Sequence, residues 1–440
     1  MFRLPALAPA VARAALRAVA APGAAGARTA ALSTGVPPAA GVGYPGAEEA
    51  SFTTEFEFVD PETAFPMFQL MGPDGKFAVA DDQRPAIAED KELLLKMYKV
   101  MNTTQIMDTF MAKKQRQGAV SFIMTSYGEE ATHVGSAAAL TGDDVVYAQY
   151  RESGVLLWRG FSLDETMAQC FSTQADGGKG RQMPVHYGSK ALNFQTISSP
   201  LATQIPQAAG AAYALKRSGK DAVAMTYFGD GAASEGDFHA ALNFAATLEC
   251  PALFFCRNNG YAISTPTKEQ YRGDGIASRG PGYGIPTIRV DGNDVFAVYE
   301  AVARARTLAI EESRPVLIEA MSFRIGDHSS SDDSSRYRPD GERDKWAQVA
   351  PIPRLRSYIV ERGWWSDDED KELQDSLFAD LMTAMRKALA DKKPSLDEVF
   401  TDVYDELTPD LVAQEAELRV HLAKHGDKYD LGVFAPSTKA

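Results

Sequence analysis

A chain of 440 residues that is 45% hydrophobic and 24% charged has apolar material for one large core or two smaller ones, in the proportions of an ordinary globular protein. Its net charge of −14 argues against nucleic acid as a partner, and no run approaches the ~18 apolar residues of a membrane span. Cys170, Cys250 and Cys256 sit in apolar surroundings with no C-x-x-C pair, so buried thiols of a reducing compartment are expected, not disulfides or a zinc site.

The chain opens on a leader, residues 1–47, that contains Arg3, Arg13, Arg17 and Arg28, no acid, and many alanines around spaced apolar residues. It reads as a mitochondrial transit peptide running into a Pro/Gly/Ala-rich linker. Residues 48–89 mix aromatics with Pro66, Pro73 and Pro85 and are expected to form an extended arm over another surface. A helix follows from Asp90 to Gln117, stopped by Gly118, and a second from Glu129 to Leu140. Val145 to Ala148 is a short strand that delivers Gln149-Tyr150-Arg151, and Ser162-Leu163-Asp164-Glu165 is a capping box. Ser199 and Pro200 read as the N-cap and first turn of a small-residue helix reaching Gly219. Its alanines fit either a subunit contact or a tightly packed core. Strands at Thr287 to Val290 and Pro315 to Phe323 flank a helix capped by Asp294. Gly326 to Glu342 is a polar loop without periodicity, expected to be mobile, and helices at 352–362, 367–390 and 409–425 close the chain. The fold class is therefore α/β, a parallel sheet flanked by helices over residues 90–345, with a helical region at 346–440.

Within that frame two strand ends stand out. Ala222 to Phe228 is a strand ending in Gly229-Asp230-Gly231, and Ala252 to Cys256 is another ending in Arg257-Asn258-Asn259-Gly260. The stretch between them, Ser234 to Leu248, is helical, and a right-handed strand–helix–strand unit places both ends at one edge of a parallel sheet. A carboxylate and an amide oxygen then converge on a hard cation such as Mg²⁺, which completes its shell with phosphate oxygens. No G-x-G-x-x-G and no G-x-x-x-x-G-K-[ST] is present to support a dinucleotide or P-loop site.

The Gly-Asp-Gly and Asn-Asn pair resembles the thiamine-diphosphate signature, which implies Asp230, Asn259 and the Tyr261 carbonyl as magnesium ligands. The flanking text is closer still. Arg181 to Gly188, Ile197 to Gln204, Tyr227 to Asp237, Cys256 to Thr265 and His328 to Asp333 resemble the alpha subunits of 2-oxo acid dehydrogenases, and within them the branched-chain type. This resemblance runs from about residue 56 to the C-terminus. It implies a thiamine-diphosphate-binding fold carrying the diphosphate half of an active site. The activity implied is oxidative decarboxylation of branched-chain 2-oxo acids with reductive acylation of a lipoyl group.

Residue by residue, the resemblance assigns Tyr150, Arg151, Ser199, Gly231, Ala232, Arg257 and His328 to the cofactor, with His328 near the reacting centre. Ser198, Pro200, Thr203 and Gln204 match a potassium site, a set of neutral oxygens suited to a weakly held monovalent ion. Ser329 matches a phosphorylation site, where added negative charge would oppose an anionic substrate. The implied partners are a beta subunit completing an α₂β₂ heterotetramer, a lipoyl-bearing transacylase core, and a regulatory kinase and phosphatase in the mitochondrial matrix. Two positions depart from the pattern: Pro339 replaces a second phosphorylated serine and Asp327 replaces a histidine. A pyruvate-specific alpha subunit and a non-catalytic relative are the alternatives.

Overall fold

The computed structural model describes Phe56 and residues 64–437, so the expected leader and linker (1–47) and the first part of the arm lie outside the described residues. In chain order the strands are β1 (Met67–Phe68), β2 (Val145–Tyr147), β3 (Phe194–Gln195), β4 (Ala224–Gly229), β5 (Ala252–Asn258), β6 (Tyr261–Ala262), β7 (Thr265–Pro266), β8 (Thr287–Asp291) and β9 (Val316–Met321). Seven of them form one parallel sheet in the order β1-β8-β9-β5-β4-β2-β3, and β6 with β7 makes a small antiparallel hairpin.

The helices are α1 (Lys91–Arg116), α2 (Glu130–Ala138), α3 (Ser153–Trp158), α4 (Leu163–Cys170), α5 (Gln204–Ser218), α6 (Gly236–Thr247), α7 (Thr267–Gln270), α8 (Val295–Glu311), α9 (Glu342–Ala347), α10 (Pro351–Glu361), α11 (Asp367–Ala390) and α12 (Pro409–His425). Side chains alternate across the central strands, because successive residues of a strand face opposite ways. Met225, Tyr227, Leu253, Phe255 and Ile318 join Leu94, Met97, Phe296, Val298 and Leu381 in one core. Phe228, Phe254, Cys256 and Leu317 join Ile205, Ala208, Phe238 and Leu242 of α5 and α6 in the other. Both faces of β5 are thus covered, and all seven of its residues are buried. The three cysteines are free and buried, as their surroundings imply.

Local chemistry explains most boundaries. Asp90 accepts from Leu93 N at 3.0 Å and starts α1, while Ser162 and Glu165 form the reciprocal capping box of α4. Asp294 caps α8 through Phe296 N and Ala297 N. Its second oxygen accepts from Leu70 N (2.8 Å) and Met71 N (2.6 Å), which ties the segment after β1 to the start of α8.

Two expectations need correction. Ser199 does not cap a helix: α5 begins at Gln204, because Ala202 takes a left-handed conformation (φ 66°) that breaks any helix started earlier. Ser199 instead donates to His186 Nε2 at 2.7 Å; His186 Nδ1, 3.1 Å from the Pro184 carbonyl, carries the proton. The loop from Gly326 to Glu342 is irregular as expected, but it is pinned: Asp332 accepts from His328 N (2.7 Å) and the Tyr337 hydroxyl (2.6 Å), and Asp327 accepts from Ser334 Oγ (2.6 Å) and Arg343 Nη2 (3.0 Å). On α5, Ala208, Ala209 and Ala212 are spent in the core with α6, whereas Gly210 is exposed.

Candidate cofactor and metal site

Strands β4 and β5 pair in parallel with Gly229 opposite Arg257, so Asp230 and Asn259 leave the same edge of the sheet one and two residues beyond that pair. Both are buried, at 1% and 5% exposure. Gly231 follows Asp230 where a Cβ would come within 2.7 Å of Ala262 Cβ, so only glycine lets the β6–β7 hairpin close over this edge. The Asp230 carboxylate accepts from Gln270 Nε2 at 2.6 Å through Oδ2, and its other oxygen takes no side-chain hydrogen bond among the described residues and can face a cation. Burial pushes its carboxyl up from the usual range, and the Gln270 bond opposes that shift.

Behind these groups lies a buried charged cluster. The Arg257 guanidinium is paired with Glu129 and with Glu152, and all three side chains are at most 2% exposed. Glu129 Oε1 also accepts from Asn259 Nδ2 at 2.9 Å. Burial pushes the Glu129 carboxyl up, but the charges of Arg257 and Arg151 outweigh it and leave the group below its usual value. Glu152 accepts from Gln149 N at 2.6 Å, and the Gln149 side chain accepts from Gly229 N at 2.9 Å, which fastens the end of β2 to the end of β4. The Tyr261 carbonyl, third of the expected metal ligands, is 3.4 Å from Arg324 Nη1 and keeps a second lone pair. Among the described residues no group of three or more His, Cys, Asp or Glu side chains forms a metal cluster, and the expected set, with one carboxylate, is not of that kind.

His328 is brought to the same site. Arg151, 3% exposed, donates through Nη2 to His328 Nδ1 (2.9 Å) and to its carbonyl (2.6 Å), and through Nη1 to the Thr125 carbonyl (2.6 Å). Because a guanidinium only donates, Nδ1 is an acceptor and the ring proton sits on Nε2. Burial, with the charges of Arg151 and Arg324, pushes the imidazole down to about 3, so it is neutral near pH 7. Tyr150 packs edge-on against this ring, centroids 6.1 Å apart. Gly231 and Ala232 open the turn after β4, a 3₁₀ segment at Ala232–Ser234.

The neutral-oxygen set lies in the turn before α5. Thr203 Oγ1 is 3.2 Å from the Pro200 carbonyl and 3.4 Å from Ser198 Oγ, so three of the four are brought together. Gln204 spends its Nε2 on the Tyr227 carbonyl at 2.9 Å. Ser329 is half-buried in the His328 loop, its hydroxyl accepting from Ser331 N at 3.3 Å.

Sequence reasoning passed over Glu129, Glu152, Gln149 and Gln270. Glu129-Glu130 at a helix start looks like a solvated pair favouring the dipole. The available signal was Gly128 just before it: a Cβ there would lie 2.2 Å from the Phe323 carbonyl, which marks a closely packed turn.

The fold and these strand ends define a class, and comparison with known proteins agrees. Residues 98–397 match the family described as "Dehydrogenase E1 component", and the chain belongs to that family. It is 52% identical over 396 residues to the mitochondrial 2-oxoisovalerate dehydrogenase subunit alpha of Dictyostelium discoideum, covering 89% of this chain and 88% of that one. Against the Homo sapiens protein of the same name identity is 53% over 394 residues, again 89% and 88%. The Arabidopsis thaliana subunit alpha 2 is 49% identical over 389 residues, 88% of this chain and 82% of that one.

Proposed function

We propose that this chain is the alpha subunit of a mitochondrial branched-chain 2-oxo acid dehydrogenase, the decarboxylating component that acts with thiamine diphosphate and a beta subunit. Family membership supports the reaction class, and the curated relatives at about half identity support the substrate. The observation that carries the site is the β4–β5 register, which sets Asp230 and Asn259 at one sheet edge. Thiamine diphosphate supplies, when bound, a ring that takes up the electron pair left by departing CO₂.

The chain's own groups bind and orient. Asp230, Asn259 and the Tyr261 carbonyl would hold Mg²⁺, a hard-oxygen set short of a full octahedron that suits a diphosphate-bridged ion. Tyr150, Arg151, Ser199, Gly231, Ala232 and Arg257 would surround the cofactor. His328, neutral and protonated on Nε2, would donate a hydrogen bond at the reacting centre. Ser198, Pro200, Thr203 and Gln204 would hold K⁺ at the turn before α5. The beta subunit would supply the pyrimidine-binding half, giving an α₂β₂ assembly. A lipoyl arm of a transacylase core would accept the acyl group, its disulfide being reduced as the substrate carbon is oxidised. A kinase and a phosphatase acting on Ser329 would regulate access. The matrix is the expected compartment once the transit segment within residues 1–47 is removed, ahead of the arm (48–89), the cofactor domain (90–345) and the helical region (346–440).

The test is co-expression with the beta subunit and assay on 3-methyl-2-oxobutanoate and on pyruvate. Faster turnover of the branched substrate is expected; a strong preference for pyruvate would reassign the substrate. Asp230→Ala should weaken cofactor binding by more than about 100-fold, beyond the usual loss from a group one layer behind a metal. Unchanged binding and decarboxylation would leave a non-catalytic scaffold as the better reading.

A further inference from the structure

Resting on the site reading above, we infer that Glu129 is a positioning residue for the metal: its buried carboxylate fixes which end of the Asn259 amide faces the cation. A carboxylate paired with Arg257 only accepts hydrogen bonds. The Asn259 atom 2.9 Å from Glu129 Oε1 must therefore be the NH₂ group. The amide oxygen is turned to the other side, where it is 3.4 Å from Tyr261 N, close to the carbonyl-bearing residue of the same ligand set. Without that constraint an asparagine presents NH₂ or oxygen with nearly equal shape, and only the oxygen can ligate a metal. Arg257 in turn has only donors to offer, so it holds Glu129 ionised and in place from the far side. Glu129 is fully buried at the start of α2, and that turn can come this close to the sheet edge because Gly128 has no Cβ.

Glu152 provides the natural contrast. It pairs with the same arginine and is equally buried, but its other oxygen goes to Gln149 N and not to Asn259. A role in holding Arg257 is common to both acids; a role in orienting the metal ligand belongs to Glu129 alone.

Glu129→Gln is nearly isosteric and makes the prediction specific. Arg257 claims the glutamine oxygen, the glutamine NH₂ faces Asn259, and Asn259 must flip its nitrogen toward the cation. In the co-expressed alpha–beta complex, titration calorimetry of thiamine diphosphate at stepped Mg²⁺ concentrations gives the Mg²⁺ concentration for half-maximal binding. Glu129→Gln should raise it about 10- to 100-fold, the range for second-layer partners of metal ligands. Glu152→Gln should weaken cofactor binding while moving that Mg²⁺ midpoint by less than the lower end of that range, about 10-fold. The double variant Glu129→Gln/Asn259→Asp restores an oxygen on both sides of residue 259 and should recover most of the loss. A merely structural role for Glu129 gives no such rescue. If wild type shows Mg²⁺-dependent binding while Glu129→Gln shifts the midpoint no more than Glu152→Gln, or the double variant is no better than the single one, the inference is wrong and the site reading stands. If wild-type binding is itself independent of Mg²⁺, the site reading fails first.

Discussion

The two ion sites proposed for this chain are built on opposite principles. At the β4–β5 edge, Asp230 and Asn259 are buried and backed by Arg257, Glu129 and Glu152, and the ion pairs of Arg257 with the bond from Asn259 to Glu129 leave these side chains little choice of rotamer. In the turn before α5, Pro200 is exposed, Ser198 and Thr203 are half-buried, Gln204 is buried with its amide on the Tyr227 carbonyl, and the oxygens are neutral. A divalent ion on a diphosphate needs ligands held rigidly, because Mg²⁺ tolerates little distortion. A monovalent ion at a turn can be held by groups that would otherwise face water. The contrast predicts large effects at the first site and modest ones at the second.

Arg257→Met should have the largest effect. It leaves two carboxylates buried without their cation, and breaking a buried pair from one side costs about 3–5 kcal/mol. Chemical denaturation of the alpha–beta complex should show that loss together with loss of cofactor binding. Adding Glu129→Gln and Glu152→Gln removes the unpaired charges and should return most of the stability without returning the cofactor. A stable, cofactor-binding Arg257→Met would mean that the buried cluster does not organise the strand ends.

How far this contrast could be read in advance depends on the range over which each feature is determined. Asp90, Asp294 and the Ser162–Glu165 box mark helix starts with chemistry contained in four residues, and each stands where it was expected. The Gly-Asp-Gly and Asn-Asn ends were legible because a parallel strand–helix–strand unit admits one handedness. Ser199-Pro200 misled for a physical reason: the pair has the composition of a helix start, but the left-handed turn at Ala202 and the His186 bond are set by the surrounding packing. The two-residue strand Met67–Phe68 pairs with β8, and the amides of Leu70 and Met71 just after it bond Asp294, in each case more than 220 positions away, and no local pattern carries that. Glu129 was passed over as a site residue because its partner Arg257 lies 128 positions on, and Gly128 just before it hints only at a closely packed turn.

A smaller effect separates the two regions by pH. His133 follows Glu129 into α2, is fully buried, and has no hydrogen-bond partner at either ring nitrogen. Burial, then the charge of Arg257, pushes it down to about 3. A histidine depressed in the fold contributes stability that is complete above its unfolded value of about 6.5 and is lost as pH falls from there toward about 3. At about 1.4 kcal/mol per pH unit, wild type should lose roughly 2 kcal/mol through this group by pH 5. Asp108 and Glu130, which burial raises to about 7 and about 8, act in the opposite direction, so the informative quantity is the difference between wild type and His133→Gln. That difference should narrow as pH falls from 7 to 5; a constant gap would mean that His133 does not titrate on unfolding.

The smallest effect belongs to the turn before α5. Thr203→Val keeps the shape of the side chain but removes the Oγ1 that lies near both Ser198 Oγ and the Pro200 carbonyl. An ion present at ten times its dissociation constant stabilises the folded state by about 1.4 kcal/mol. Replacing K⁺ by tetramethylammonium at equal ionic strength should therefore lower the stability of wild type by about that amount, with salt screening held constant. Thr203→Val should be insensitive to the exchange, because the loss of one neutral ligand is enough to weaken a site with no carboxylate to anchor the ion. The Mg²⁺ dependence of cofactor binding should stay as in wild type, since both partners of Thr203 Oγ1, Ser198 and Pro200, lie within the turn itself. A Thr203→Val protein that keeps the full K⁺ increment would remove this turn from consideration as the potassium site, while one that also shifted the Mg²⁺ midpoint would show that the two ion sites are coupled through the fold.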